Sequence, residues 1–131
     1  MIVLDASAAL ELLLNAGLSQ QVADRVFRSN ESLHVPHLID LEISQVLRRL
    51  VRRDDITLDR AAEVFEDLND LHLTRYPHNM LLPQIWALRN NATAYDAAYL
   101  ALAQTLDAPL LTCDQALHSI AGFDGQVEVI Q

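Results

Sequence analysis

Three aspartates in this sequence each follow a short apolar run or open a helix-like segment. Asp5 follows MIVL, Asp96 lies within TAYDAAYLALA and Asp114 follows LLTC. Open parallel sheets bind ligands beyond the carboxyl ends of their strands, which is where Asp5 and Asp114 would lie. Carboxylates repel one another, so a fold that gathers them needs a counter-charge, and for oxygen ligands this is typically Mg²⁺ or Mn²⁺. The pattern therefore indicates metal-assisted cleavage of a phosphodiester.

A fourth acid, Glu42, interrupts the apolar side of a predicted helix. It lies four residues after Leu38 and four before Val46, so it shares their ridge. A lone carboxylate on such a ridge is unfavourable unless it is partnered. No basic residue lies three or four positions away, and we therefore expect a partner from elsewhere, either a metal or an arginine.

The three aspartates also have purely structural interpretations. Asp5 and Asp114 could cap helix N-termini, and Thr93 with Asp96 fits a capping box. These alternatives stay open for each residue taken alone. The positive end of a helix dipole stabilises a nearby anion, so three acids at helix starts could share one pocket.

Two hydroxyl residues flank the aspartates and are candidates for a supporting role. Ser7 lies two residues after Asp5, and Thr112 lies two residues before Asp114. Their hydroxyls could hold metal-bound water in a second shell. Local capping or turn bonding is the alternative, particularly for Ser7.

The composition predicts one helix-rich domain that covers residues 1–131. Hydrophobic residues make up 51% of the chain, which has only 3 Gly and 4 Pro. The first residues have no basic stretch, and Asp5 and Glu11 break their apolar run, so neither a signal peptide nor a membrane span is expected. The single cysteine, Cys113, cannot form an internal disulfide, which favours a reducing, cytoplasmic compartment.

The charge distribution is uneven. The formal net charge of −9 by itself disfavours a nucleic-acid partner, but all nine basic residues are arginines and four of them lie in the stretch RRLVRR: Arg48, Arg49, Arg52 and Arg53. This patch could contact RNA phosphates or an acidic partner, or it could be a solvated helix face. Arg89 could reach a phosphate at the edge of the site or belong to a surface loop. The lack of lysine excludes Schiff-base and Walker-type chemistry.

Short apolar strands alternate with helical segments along the chain. The predicted strands are residues 1–5, 33–36, 72–76, 108–112 and 126–130. The predicted helices are residues 6–14, 19–29, 37–53, 57–71, 79–89, 93–106 and 114–121. The stretch Asn15-Ala-Gly17 is expected to end the first helix, with glycine as the favoured residue after a helix C-terminus. This alternation is typical of an α/β protein with a parallel sheet covered on both faces.

Three stretches of the sequence, VLDASAALELL, PHLIDLEISQVLRRL and TAYDAAYLALAQTLDAPLLTCDQAL, resemble the PIN-domain family. The similarity is greatest to its VapC-type toxins of bacterial and archaeal toxin–antitoxin pairs, and it spans Met1 to about Leu117. The resemblance is carried by an ordered set: a strand followed by Asp-x-Ser, a glutamate in a helix after a proline, an aspartate before an alanine-rich helix, and a strand followed by Thr-x-Asp.

This resemblance implies a three-layer α/β/α fold with a central, mainly parallel sheet. It also implies Mg²⁺- or Mn²⁺-dependent endoribonuclease activity on RNA, a homodimer, and inhibition by a cognate antitoxin whose C-terminal segment lies in the active-site groove of a toxin–antitoxin hetero-oligomer. The implied catalytic and metal-binding set is Asp5, Glu42, Asp96 and Asp114. Thr112 matches the family's hydroxyl position near the metal.

Two other functions remain as alternatives. A catalytically inert PIN-like module could bind RNA or a protein partner without cutting, although four intact acids argue against this. A phosphatase or phosphotransfer domain could use Asp5 as its nucleophile. That class places a second acid two residues later, where this chain has Ser7, and it needs a lysine that this chain does not have.

Overall fold

Five short strands form the centre of the molecule. The computed structural model describes residues 1–28 and 30–131, so the predicted end of the second helix at residue 29 lies outside the described residues. The strands are β1 (Ile2–Leu4), β2 (Leu33–Pro36), β3 (Thr74–Tyr76), β4 (Leu110–Thr112) and β5 (Val127–Val129). They pair in parallel in the order β3-β2-β1-β4-β5. The three central strands are buried along their whole length, which explains their unbroken apolar sequences.

Helices cover the sheet. They are α1 (Ala6–Leu13), α2 (Ser19–Arg28), α3 (Leu38–Arg52), α4 (Leu58–Asp70), α5 (Leu82–Ala87) and α6 (Ala94–Leu106). α3 buries Ile39, Ile43 and Leu47, a stripe with the four-residue spacing of one helix face. α6 is buried almost all round from Ala97 to Ala103, because it packs between the sheet and α5. The predicted α/β class with a central parallel sheet is confirmed.

The register of the central strands positions the predicted acids. Leu4 is paired with Leu111, and the Asp5 N–H donates to the Leu111 carbonyl at 2.9 Å. Asp5, the first residue after β1, therefore lies beside Thr112, the last residue of β4. This is the carboxyl edge of the sheet, where ligands are expected to bind.

Two predicted helices are wrong in extent. Residues 79–89 form a 3₁₀ turn at Asn79–Leu81 followed by α5, with Pro83 in the first turn of α5. Proline has no N–H for the helical ladder and is tolerated only near a helix start, so the chain begins a new helix there. Residues 114–121 form only a 3₁₀ turn at Gln115–Leu117. Leu117 is the only buried side chain in this segment, so a longer helix would have no apolar face to bury.

The first helix also ends differently from the prediction. α1 stops at Leu13, and Asn15 rather than Gly17 adopts the left-handed conformation, with φ of 52°. Asparagine tolerates this region because its short side chain can bond locally. β2 has its predicted bounds, and the other four strands are shorter than predicted by one or two residues at one or both ends. Among the described residues, no helix is long and apolar enough to cross a membrane.

Candidate active site

Asp5 is held at the carboxyl edge by two hydroxyl groups. Its Oδ2 accepts a hydrogen bond from Ser7 Oγ at 2.6 Å and another from Thr112 Oγ1 at 2.7 Å. Each hydroxyl has one proton to donate, so both protons point at the same carboxylate oxygen. Asp5 is only 6% exposed and Thr112 is fully buried. The orientation of this carboxylate is therefore fixed by contacts from both β4 and α1.

The same hydroxyls also tie Asp5 to the segment that carries Asp114. Ser7 Oγ accepts from the Cys113 N–H, and Thr112 Oγ1 accepts from the Asp114 N–H, both at 3.0 Å. Asp5 occupies the N-cap position of α1, but its side chain makes no capping bond. The capping interpretation of Asp5 is therefore wrong. Ser7 and Thr112 contact Asp5 directly.

Glu42 has a partner that the sequence analysis did not predict. Its Oε1 accepts a hydrogen bond of 2.6 Å from the Tyr99 hydroxyl. Tyr99 is 1% exposed and lies on α6, while Glu42 lies on α3, so this bond joins the two helices across the site. We expected an arginine or a metal as the partner of Glu42, and the Tyr99 hydroxyl was not predicted. A signal was present, since Tyr99 lies three residues after Asp96 and shares its helix face.

Asp96 lies in the first turn of α6, and Asp114 immediately precedes the 3₁₀ turn at Gln115–Leu117. Thr93 Oγ1 accepts from the Asp96 N–H at 3.1 Å, which is the predicted cap of α6. Oδ1 of Asp114 accepts from the Ala116 N–H at 2.9 Å, so the capping interpretation holds for Asp114. A cap uses one carboxylate oxygen and leaves the other available, so capping and ligand binding are compatible for this residue.

All four predicted acids line one open groove of about 540 Å³. Its lining residues are Asp5, Ala6, Ser7, Leu10, Leu38, Leu41, Glu42, Gln45, Val46, Arg49, Tyr95, Asp96 and Asp114. Burial raises the pKa of Glu42, and the charges of Asp5 and Asp96 raise it further, while the Tyr99 hydrogen bond opposes the shift. Burial also raises the pKa of Asp96, with smaller contributions from Asp5 and Asp114. The four carboxylates thus affect one another electrostatically.

The donor set fits a hard divalent cation in its chemistry. It consists of carboxylate oxygens at a sheet edge, and Mg²⁺ and Mn²⁺ prefer such ligands. As placed, however, no three His, Cys, Asp or Glu side chains in the described part of the chain converge closely enough to hold an ion. All four carboxylates nevertheless line the same groove.

Comparison with known proteins identifies the family of this chain. The model of the PIN domain family matches residues 2–123. The chain belongs to the PIN-domain family. A VapC ribonuclease of Mycobacterium bovis is 45% identical over 130 residues, which are 99% of this chain and 98% of that protein.

Two solved structures share the fold of this PIN domain. The sarcin-ricin-loop-cleaving toxin VapC20 of Mycobacterium tuberculosis superposes with a TM-score of 0.68, at 16% identity, over 100% of both chains. VapBC2 of Rickettsia felis, bound to a DNA fragment from the promoter of its genes, superposes with a TM-score of 0.66, at 11% identity, also over 100% of both chains.

The predicted arginine contacts divide into three groups. Arg49 lines the groove of this PIN domain. Arg48, Arg52 and Arg53 are exposed on α3 and at its end, outside the groove lining. Arg89 is also outside the groove. Its guanidinium lies 4.9 Å from the Trp86 ring, and it donates to the Trp86 carbonyl at 3.0 Å.

Cysteine chemistry is not part of this site. Burial raises the pKa of the Cys113 thiol to about 11, and the charges of Glu11 and Asp5 add to the shift. A thiol with this pKa stays protonated at neutral pH, and the thiolate is the reactive form. Cys113 is therefore not a candidate nucleophile.

Proposed function

We propose that this protein is a metal-dependent endoribonuclease, the toxin of a toxin–antitoxin pair. The observation that carries the proposal is the single groove lined by Asp5, Glu42, Asp96 and Asp114. The relative named VapC ribonuclease, at 45% identity, supports RNA as the substrate. Oxygen-only ligation supports Mg²⁺ or Mn²⁺ as the cofactor.

In this proposal the four carboxylates hold the cation. When bound, the ion activates water and neutralises the charge that develops on the phosphate. Ser7 and Thr112 keep Asp5 in one orientation by donating to Oδ2, so Oδ1 faces no competition from these hydroxyls. Tyr99 does the same for Glu42 from α6. Such outer contacts fix the direction of a ligand and commonly change metal affinity or activity by about 10–100-fold.

The apolar part of the groove would contact the bases. Leu41 and Tyr95 line the groove and are 70% and 63% exposed, respectively. Unstacked RNA bases stack readily on aromatic side chains, so Tyr95 is placed to receive one. This wall would position the strand while the acids act on a phosphate.

The proposed activity is tested by incubating the purified protein with total RNA. We expect cleavage with Mg²⁺ or Mn²⁺, none in excess chelator, and recovery when the ion is added back. Mapping of the new RNA ends then identifies the preferred site. Cleavage that persists in chelator would contradict the metal dependence. Binding of RNA without any cleavage would instead support the inert interaction module.

We further propose an antitoxin partner, a homodimer and a cytoplasmic location. The likeness to the toxin–antitoxin structure VapBC2 supports the first. An antitoxin would present a basic side chain to the acidic groove, because arginine pairs bidentately with carboxylates. Excess antitoxin peptide is then expected to displace Mn²⁺. Simultaneous binding of the peptide and Mn²⁺ would contradict inhibition through the acids.

Light scattering on the free protein tests the homodimer. A monomer at micromolar concentration would contradict it.

A further inference from the structure

One cation lines a groove that otherwise carries four acids. Arg49 is the only basic residue among the groove-lining residues described above. A phosphate that approaches four carboxylates is repelled, so a strand that binds there needs positive charge close by. No ion pair is formed by Arg49 within the described residues, and its side chain is exposed. Its charge is therefore available to a ligand.

The helical spacing extends this cation beyond the groove. Glu42, Gln45 and Arg49 all line the groove from α3, at the i, i+3 and i+7 positions of one helix face. Arg53 follows Arg49 by four residues and continues this face by one more turn, whereas Arg52 follows Arg48 by four residues and lies on the side of Arg48. Arg49 follows Glu42 by seven positions, about 10 Å along the axis. A polyanion that leaves the acids along α3 meets Arg49 and then Arg53.

Arg48 is different although it is adjacent to Arg49. Successive helix residues are separated by about 100° around the axis, so Arg48 is turned away from the direction of Arg49. Arg48 is exposed but does not line the groove. Within the described chain it forms no ion pair either. It carries the same charge on the same helix and is a matched control.

We propose that Arg49, continued by Arg53, binds phosphates of the RNA strand next to the one that is cleaved. This inference rests on the proposed ribonuclease function. It adds the path of the RNA strand, which runs from the carboxylates along α3 towards the C-terminal end of that helix. Arginine suits this role because its planar guanidinium donates two parallel hydrogen bonds to a phosphate. The arginines would locate the backbone without reading its sequence.

The test measures the salt dependence of RNA binding. A short labelled single-stranded RNA is titrated with Asp96→Asn protein, which is expected to suppress cleavage, and with the same protein carrying Arg49→Gln, Arg49→Lys or Arg48→Gln. NaCl is varied at constant Mg²⁺. Each phosphate contact contributes about 0.7 to the slope of log affinity against log salt for single strands. The melting temperatures of the variants are compared first. Substitutions at these exposed positions are expected to leave the melting temperature unchanged.

We expect Arg49→Gln to reduce the slope by about 0.7 and the affinity about two- to fivefold, the usual range for an exposed ion pair. Arg49→Lys should keep the slope, and Arg48→Gln should change neither quantity. Equal slopes for Arg48→Gln and Arg49→Gln would overturn the inference. An Arg49→Gln protein that loses antitoxin binding but keeps its RNA binding would also overturn it. Wild-type protein is assayed for RNA cleavage in parallel. If it cleaves while the slopes are equal, only the inference fails; if it neither cleaves nor binds RNA, the proposed function fails as well.

Discussion

The carboxylates in two regions of the molecule have different kinds of partner. In the groove at the carboxyl edge of the sheet, neutral hydroxyls donate to Asp5 and Glu42. Around Arg25 on α2, cations pair with Glu31 and Glu128. Arg25 contacts Glu128 at 2.6 Å and Glu31 at 3.1 Å, and the amino group of Met1 contacts Glu31 at 3.2 Å.

This difference separates a structural use of charge from a functional one. An acid that is paired with a cation is neutralised within the protein and joins two elements, as Glu128 on β5 joins α2 through Arg25. An acid held by a hydroxyl keeps its negative charge and gains only an orientation. Oriented, unneutralised carboxylates are what a divalent cation requires.

The largest expected effect is on catalysis at the carboxyl edge. We expect Asp5→Asn and Asp96→Asn each to reduce Mg²⁺-dependent RNA cleavage by about 100-fold or more, since outer contacts of a metal site alone change activity by 10–100-fold. Neither change should lower the melting temperature. Asp67→Asn, which changes an exposed acid on α4, is the control and should cleave like the wild type. Wild-type cleavage by Asp96→Asn would remove the metal-site interpretation.

The opposite pattern is expected for the ion pairs around Arg25. Arg25→Gln should lower the free energy of unfolding by about 1–2 kcal/mol, because charged hydrogen bonds are lost but the side chain is 27% exposed and partly screened. Cleavage at a temperature where the variant is folded should stay within about twofold of wild type. Arg28→Gln, on the same helix and exposed, is the stability control. A large loss of cleavage in folded Arg25→Gln would show that the ion pairs around Arg25 affect the groove.

Tyr99→Phe should produce an intermediate effect. Removing the donor to Glu42 is expected to reduce cleavage about tenfold. The hydrogen bond holds the pKa of Glu42 down, so its loss should raise that pKa and move the acid limb of the pH–activity profile to higher pH.

A second tyrosine provides the control for Tyr99. The Tyr76 hydroxyl and His34 Nδ1 share a hydrogen bond of 2.7 Å that joins β2 and β3. Neither residue lines the groove. Tyr76→Phe should therefore lower stability without moving the pH profile. An identical profile for wild type and Tyr99→Phe would mean that the phenol serves packing alone.

The smallest expected effect is on stability without divalent ions. The pKa values of Glu42 and Asp96 are raised in the fold, so the folded protein binds more protons than the unfolded chain between the ordinary and the raised values. Stability therefore falls as pH rises through that window. Asp96→Asn should reduce this fall and raise the melting temperature at neutral pH by roughly 1–4 °C. Thermal melts in chelator from pH 4 to 8 measure the change of melting temperature with pH, with Asp67→Asn as the control. A lower melting temperature for Asp96→Asn than for wild type at neutral pH would contradict the prediction.

Much of the site could be predicted because its residues are tied to strand ends. Asp5 and Asp114 follow apolar strands, and parallel strands deliver their following residues to one edge. Glu42 could be selected because it interrupts an apolar helix ridge. Its partner Tyr99 is harder to select, since it is 57 residues away and only its spacing from Asp96 links it to the site before the packing of α6 is known.

The errors have a similar physical origin. The helix predicted at residues 114–121 has adequate local propensity, but tertiary packing buries only Leu117 there. The capping interpretation of Asp5 followed from its position before α1, whereas the hydroxyl of Thr112, delivered by β4, competes for the carboxylate. Long-range contacts decide both cases, and single-sequence patterns do not contain them.

Mn²⁺ binding to the free protein tests the difference between the hydroxyl-bonded acids of the groove and the ion-paired acids around Arg25 without relying on activity. The free-ion paramagnetic resonance signal is followed during titration of wild-type, Asp5→Asn, Asp67→Asn and Arg25→Gln proteins. We predict that wild type, Asp67→Asn and Arg25→Gln bind with equal affinity, and that Asp5→Asn binds about tenfold or more weakly. Equal affinity for all four proteins, or no binding by the wild type, would contradict a metal site formed by the acids at the carboxyl edge.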